Sequence, residues 1–153
     1  MQYSAYYVEE KDGTFSASIS KLELEKPADG FVQIKVTHSS LNYKDALSAS
    51  GNKGVTRNYP FVPGIDAAGT ISDANSSHFT EGDEVLVTGY DMGMNTPGGF
   101  GEYINVPTNW VVKKPSALTS LEAMSIGTAG LTAAASVLKI QESSQASDCL
   151  LYT

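Results

Sequence analysis

Residues 31–47, FVQIKVTHSSLNYKDAL, contain the change of pattern on which the fold turns. Val32, Ile34, Val36 and His38 alternate with Phe31, Gln33, Lys35 and Thr37, and the first set is mostly apolar. A period of two with one apolar face is the signature of a half-buried strand. Behind that strand, Asn42-Tyr43-Lys44-Asp45 sets an amide, a phenol, an ammonium and a carboxylate side by side. Asn42 or Asp45 could cap a short helix through YKDALSAS, since both residue types accept hydrogen bonds from the first helical N–H groups. The same groups could form a reaction site, because a tyrosine with a polar neighbour can transfer a proton. On the residues alone both readings stay open.

Working outward, AYYVEE and TFSASIS flank KDGT, where Asp12-Gly13 is a hairpin signal. KPADG is a turn leading into residue 31. Downstream, GIDAAGTIS, DEVLVTG, GEYINVP and WVVKKP read as short strands, separated by turns such as EGD at 81–83 and TPGGFG at 96–101. Such spacing predicts a compact barrel or sandwich. The character changes near Pro115. SALTSLEAMSIGTAGLTAAASVLKI places apolar residues at helical spacing, and Thr119 with Glu122 forms a capping box ahead of them. Gly127 and Gly130 interrupt the run, so two helices with a break around IGTAG are expected. DCLLYT, residues 148–153, reads as the first strand of a further sheet, with an edge strand added to the barrel as the alternative.

The totals narrow the function classes. The chain has 153 residues, of which 41% are hydrophobic and 18% charged, so a packed core is within reach. A net charge of −7 speaks against nucleic-acid binding, which needs a dense basic surface. The single cysteine, Cys149, rules out an intrachain disulfide and a multi-thiolate zinc site. His38 is expected on the apolar face of its strand and His78 in a polar loop, so no metal is expected. The start, MQYSAYYVEE, lacks the pattern of a signal peptide. No segment approaches the length of a bilayer span, and a soluble, cytoplasmic protein with no membrane partner is expected. There is no G-x-S-x-G elbow and no G-x-G-x-x-G after a strand; TPGGFG does not open a helix and reads as a plain turn.

Five stretches taken together, SSLNYKDAL, NYPFVPGIDAAGTI, EGDEVLVTGY, GGFGEYINVPTNWVVKKP and EAMSIGTAGLTAA, resemble in order and spacing the N-terminal part of medium-chain dehydrogenase/reductases. Within that family they are most similar to the quinone-oxidoreductase-like subgroup that includes acrylyl-CoA reductase. The resemblance implies a mainly β, α+β chain: a GroES-like, partly open barrel over residues 1–115. Residues 116–153 would be connecting helices and the first strand of an incomplete Rossmann domain that binds NADPH. Zinc-dependent relatives carry a cysteine near NYKD and Gly-His-Glu where this chain has Gly64-Ile65-Asp66, which implies the zinc-free branch.

The implied reaction is NADPH-dependent reduction of a small molecule. Its substrate would be the activated C=C of an α,β-unsaturated carbonyl compound, such as an acrylyl-CoA-like thioester, or a quinone. Tyr43 would touch the nicotinamide and serve as a proton donor, with Asp45 assigned to catalysis beside it. Asn42, Tyr43 and Thr128 would border the cofactor. Lys44, Lys53 and Arg57 could form a basic rim for a thioester's phosphates or could be scattered surface charges. The full-length enzyme would be a homodimer, and this chain alone would be inactive because most NADPH contacts would come from elsewhere. The alternative is a non-enzymatic GroES-like binding or assembly module.

Overall fold

The computed structural model describes residues 1–75 and 78–143. Strands β1 (Gln2–Lys11) and β2 (Thr14–Glu23) form a long hairpin in which Lys11 pairs with Thr14. Asp12 and Gly13, at φ 52° and 77°, make its two-residue turn. Two successive positive φ angles are what a type I′ turn requires, and Asp-Gly is a sequence that tolerates them.

The second sheet is antiparallel throughout. β3 (Phe31–His38) lies between β6 (Tyr103–Pro107) and β4 (Asp66–Asp73), and β5 (Glu84–Thr88) and β7 (Val112–Lys113) extend it beyond β4. The order β6-β3-β4-β5-β7 curls around a core of Val32, Ile34, Ile71, Val85, Val87, Met92, Ile104 and Val106. Burying each of these side chains contributes about 1.5–3 kcal/mol. The period-two pattern of β3 puts Val32 and Ile34 inside as expected, but Gln33 is buried as well. Its amide donates to the Glu25 carbonyl and to Asn105 Oδ1, and its oxygen accepts from Ser72, which offsets the cost of burial. His38 departs from expectation. A register shift between Val36 and His38 breaks the alternation, and the imidazole is exposed instead of facing the core.

The hairpin is fastened to the sheet through its backbone. Tyr6 N donates to Phe100 O, and Val8 and Phe61 exchange both of their backbone hydrogen bonds. Lys53 reinforces the other end, with its ammonium 5.3 Å from the Phe15 ring and 4.9 Å from the Tyr59 ring while paired with Glu10. TPGGFG is a strap, not a phosphate loop. The N–H groups of Gly98, Gly99 and Phe100 are spent on the carbonyls of Val62, Gly64 and Pro63. A Cβ on Gly98 would sit 2.3 Å from the Gly64 oxygen, so this approach requires glycine.

Helix α1 (Tyr43–Ala49) follows β3, and α2 (Ser120–Ser143) follows the barrel. The predicted capping box is present, with Thr119 and Glu122 hydrogen-bonded reciprocally. The predicted break is at Gly127, where φ 52° and ψ −164° are not helical. Counted across that break, the stretch Ser120–Glu142 has a hydropathy of 1.3 and meets the length and composition of a bilayer span. This corrects the expectation that no segment approaches such a length. The two helices expected around IGTAG are present and meet at Gly127, and the length of a span is reached only when both are counted together. The first part of α2 buries Ala123 and Met124 against the barrel. The strand expected at 148–153 lies outside the described residues.

Candidate functional site

The centre of the site is Asp66, the first residue of β4. An acid inside the apolar run GIDAAGTI should be forced to the surface unless its charge is compensated. Asp66 is instead fully buried. Its Oδ2 accepts from Asn42 Nδ2 at 2.9 Å and from the Thr128 backbone N–H at 3.0 Å. Its Oδ1 accepts from Thr128 Oγ1 at 2.6 Å. Three elements therefore meet on one carboxylate: the loop before α1, the start of β4 and the kink of α2.

Local sequence explains the convergence. Ser39 Oγ donates to the Asp66 carbonyl at 2.6 Å, and Ser40 Oγ donates to the Met124 carbonyl at 2.5 Å, so the two serines after β3 bind the loop to β4 and to α2. Thr128 restarts α2 after the break, and its N–H is one of the orphan donors at a helix beginning. A carboxylate there is stabilised by the helix dipole as well as by the hydrogen bonds. Gly127 makes the restart possible. A side chain at that position would put its Cβ 2.6 Å from Ser40 Oγ and 2.9 Å from Asp66 Oδ2, on a backbone with positive φ.

Asp45 is buried beside this centre. Its Oδ2 accepts from the Asn42 backbone N–H at 2.8 Å, the N3 arm of a capping box for α1, and its Oδ1 accepts from Ile65 N at 2.9 Å. Burial pushes the Asp45 carboxyl above its ordinary value. The hydrogen bonds from Asn42 and Ile65 pull it back only in part, and the Asp66 charge adds to the upward shift. Asn42 thus joins the two carboxylates, with its backbone N–H on Asp45 and its side-chain amide on Asp66. Among the described residues no salt bridge reaches either carboxylate, so both are held by N–H and O–H donors alone.

Of the residues picked out in the sequence, Asn42, Asp45 and Thr128 come together and Tyr43 does not join them. Tyr43 is 81% exposed, and among the described residues its hydroxyl has no hydrogen bond. The phenol proposed from the sequence to transfer a proton therefore faces outward here. The hydroxyl proton of Thr128 is committed to Asp66, which leaves its oxygen as an acceptor. Of the three cations considered for a basic rim, Lys53 is engaged by Glu10, Phe15 and Tyr59, while Lys44 and Arg57 are exposed. Sequence reasoning passed over Asp66 as the hub. The available signal was a carboxylate placed where GIDAAGTI is otherwise apolar. Among the described residues no three of His, Cys, Asp and Glu converge in the manner of a metal site.

Comparison with known proteins gives this geometry a family. Residues 28–116 match the alcohol dehydrogenase GroES-like domain. A Bacillus subtilis protein provisionally named a quinone oxidoreductase is 42% identical, over 92% of this chain and 42% of its own length. Acrylyl-CoA reductase of Ruegeria pomeroyi is 37% identical over 88% of this chain and 41% of its own. Among solved structures, an oxidoreductase from Salmonella enterica in complex with NADP superposes with a TM-score of 0.85 at 42% identity, covering 93% of this chain and 43% of that one. The chain therefore spans about two-fifths of the length of the curated relatives it matches.

Proposed function

The chain belongs to the alcohol dehydrogenase GroES-like domain family of medium-chain dehydrogenase/reductases, and from that premise we propose that it is the substrate-side domain of an NADPH-dependent reductase. The proposed substrate is the activated C=C of an α,β-unsaturated carbonyl compound, an acrylyl-CoA-like thioester in the first place, or a quinone. The observation that carries this reading is the buried network of Asn42, Asp45, Asp66 and Thr128. Two carboxylates hidden from water at the junction of barrel and helix are costly to maintain, and such arrangements cluster at functional sites.

When bound, NADPH supplies the hydride that adds to the β-carbon of the unsaturated carbonyl compound or to the quinone. The chain's own residues hold and orient the partners. Thr128 offers the carboxamide of a nicotinamide ring an acceptor oxygen whose proton points away toward Asp66. Asn42 is held by both carboxylates and is one wall of the same site. Tyr43, whose phenol has no hydrogen bond among the described residues, is available to deliver a proton to the carbon next to the carbonyl. Asp45 acts by fixing the start of α1 and so the direction of Tyr43.

These residues fit the nicotinamide end of the cofactor only. The glycine-rich strap has no N–H group to spare at Gly98, Gly99 or Phe100, so the phosphates belong with residues other than those of the strap. Zinc-independent chemistry is proposed on the same ground. NYKD holds no cysteine, and where zinc-dependent relatives have Gly-His-Glu this chain has Gly64-Ile65-Asp66, with a hydrocarbon side chain at Ile65 and the Asp66 carboxylate taken by Asn42 and Thr128.

The test is NADPH consumption by the polypeptide in its full encoded length, with crotonyl-CoA and menadione offered separately. Turnover of either, strongly reduced in Tyr43→Phe, is expected, and residues 1–153 alone are expected to consume none. Full-length protein that oxidises no NADPH with either compound overturns the reading. Turnover unchanged in Tyr43→Phe removes the proton-donor role.

A further inference from the structure

The hairpin and the outer face of the barrel enclose a cavity of about 520 Å³ that shares no residue with the Asp66 network. Tyr3 and Tyr7 stand four residues apart on one face of β1, and Leu22 of β2 pairs with Tyr3. Opposite them are Phe31 of β3 and Tyr103 of β6. Tyr3 and Tyr103 meet edge to face, with ring centroids 6.0 Å apart at an interplanar angle of 78°. Four aromatic side chains therefore converge on one space, and Glu25 stands beside them, just beyond the end of β2.

The charge of this lining is one-sided. No lysine, arginine or histidine belongs to it. On the neighbouring strand positions, Lys21 donates to Ser4 Oγ at 2.8 Å. The Glu102 carboxyl is held below its ordinary value by the Ser4 N–H, and the charges of Lys21 and Lys35 act on it in the same direction. Glu23 also lines the cavity, but it accepts from Gln2 and lies 3.8 Å from the N-terminal ammonium. The Glu25 carboxylate has neither a hydrogen bond nor an ion pair among the described residues, and the hydroxyls of Tyr3, Tyr7 and Tyr103 have no hydrogen bond there. Burial pushes the Tyr3 phenol above its ordinary value, and Glu25 and Tyr7 push it further, so these three groups act on one another.

We propose that this cavity is a binding site for a small methylated ammonium ion of the choline type. Aromatic rings attract a cation through their negative faces, and Glu25 supplies a full charge that lacks a counter-ion. The apolar groups of Leu22 and Phe31 suit N-methyl groups, which a bare ammonium does not carry. A metal ion needs several oxygen ligands at once, and among the described residues no three of His, Cys, Asp and Glu converge to give them. The volume falls within the roughly 300–1,000 Å³ typical of small-molecule sites. An anion of the same size meets Glu25 with no cation to pair it and is rejected. Glu25 is held in place without its carboxylate, because its backbone carbonyl accepts from Gln33 Nε2 at 3.0 Å and from Asn105 Nδ2 at 3.1 Å. The charge is thus fixed at the cavity before any ligand arrives. The site is independent of the reductase reading.

The experiment compares choline with its neutral carbon isostere, 3,3-dimethylbutan-1-ol, which has the same shape and no charge. Each is titrated in low salt into the isotope-labelled polypeptide in its full encoded length, and amide shifts are followed by NMR. Saturable shifts centred on Tyr3, Phe31 and Tyr103 are expected with choline alone, and added salt should weaken them. Glu25→Gln keeps both backbone bonds and removes the charge, and should weaken choline about fivefold or more; Tyr7→Leu should act in the same direction. Equal affinity for the isostere, choline affinity unaltered by Glu25→Gln, or no saturable shift with choline at these residues overturns the proposal. Glu25 is exposed, so Glu25→Gln is expected to fold and decides the matter even if Tyr7→Leu does not.

Discussion

Replacing Asp66 with alanine removes the one acceptor shared by three buried or half-buried donors: the Asn42 amide, the Thr128 N–H and the Thr128 hydroxyl. Each donor left without a partner costs about 1–3 kcal/mol. Asn42 is only half-buried and can turn toward water, which puts its share at the low end, and removing a buried charge returns part of the loss. The net for Asp66→Ala is about 3–5 kcal/mol. Asp66→Asn behaves differently because the Thr128 hydroxyl can rotate. If the new amide nitrogen takes the Oδ1 position, Thr128 Oγ1 accepts from it, while the remaining oxygen still accepts from Asn42 and the Thr128 N–H. What is lost is the charge at the helix beginning, about 1–2 kcal/mol. Urea unfolding followed by fluorescence reads both. Trp110 is the only tryptophan and lies stacked on Tyr90 with centroids 5.1 Å apart, so its emission reports the packed barrel. With an m-value of about 2 kcal/mol/M the alanine variant should lose about 2 M in midpoint, and the asparagine variant less than half of that. An alanine variant within about 0.5 kcal/mol of wild type, or an asparagine variant equally damaged, would refute this account of the hub.

Three further outcomes follow from the same structure. Burial raises the Asp45 carboxyl, so the folded chain holds that proton to higher pH than the unfolded chain does; the resulting stabilisation is complete at acid pH and is lost as pH rises through the raised value. The stability of wild type minus that of Asp45→Asn should therefore decline from acid pH toward neutrality in urea midpoints, and a flat or rising difference would contradict it. Gly127→Ala forces a Cβ to within 2.6 Å of Ser40 Oγ on a positive-φ backbone, and calorimetry should register a loss of about 2 kcal/mol or more, with no change counting against the kink. Lys53→Ala removes an exposed ion pair and two cation–π contacts, for which about 0.5–1.5 kcal/mol is expected, shrinking in high salt; a loss that does not depend on salt would assign the effect to packing alone.

What could be read from the sequence was local. Asp12-Gly13 forced a two-residue turn, Thr119 and Glu122 closed their capping box, and a glycine between two helical runs produced a break at Gly127. Asp45 was legible as a helix cap because its partner is three residues away. Asp66 was not legible as a hub, because its donors stand 24 and 62 positions off and only the folded topology brings them together. His38 was misplaced by a bulge, which shifts register without leaving a mark in the alternation of residue types. Tyr43 was expected, from the family resemblance, to touch the nicotinamide and serve as a proton donor. Residues two apart on a helix point to different sides, however, so burying Asp45 turned Tyr43 outward.

The Asp66 network is proposed as one wall of a nicotinamide-dependent reduction site. Its most direct test is steady-state NADPH oxidation by the full encoded polypeptide with crotonyl-CoA, comparing wild type with Thr128→Val. Valine keeps the shape of the side chain and removes both its bond to Asp66 and its acceptor oxygen. NADPH-dependent turnover in the wild type and a clear rise in the KM for NADPH in the variant are expected. Turnover with an unaltered KM for NADPH in Thr128→Val would contradict it.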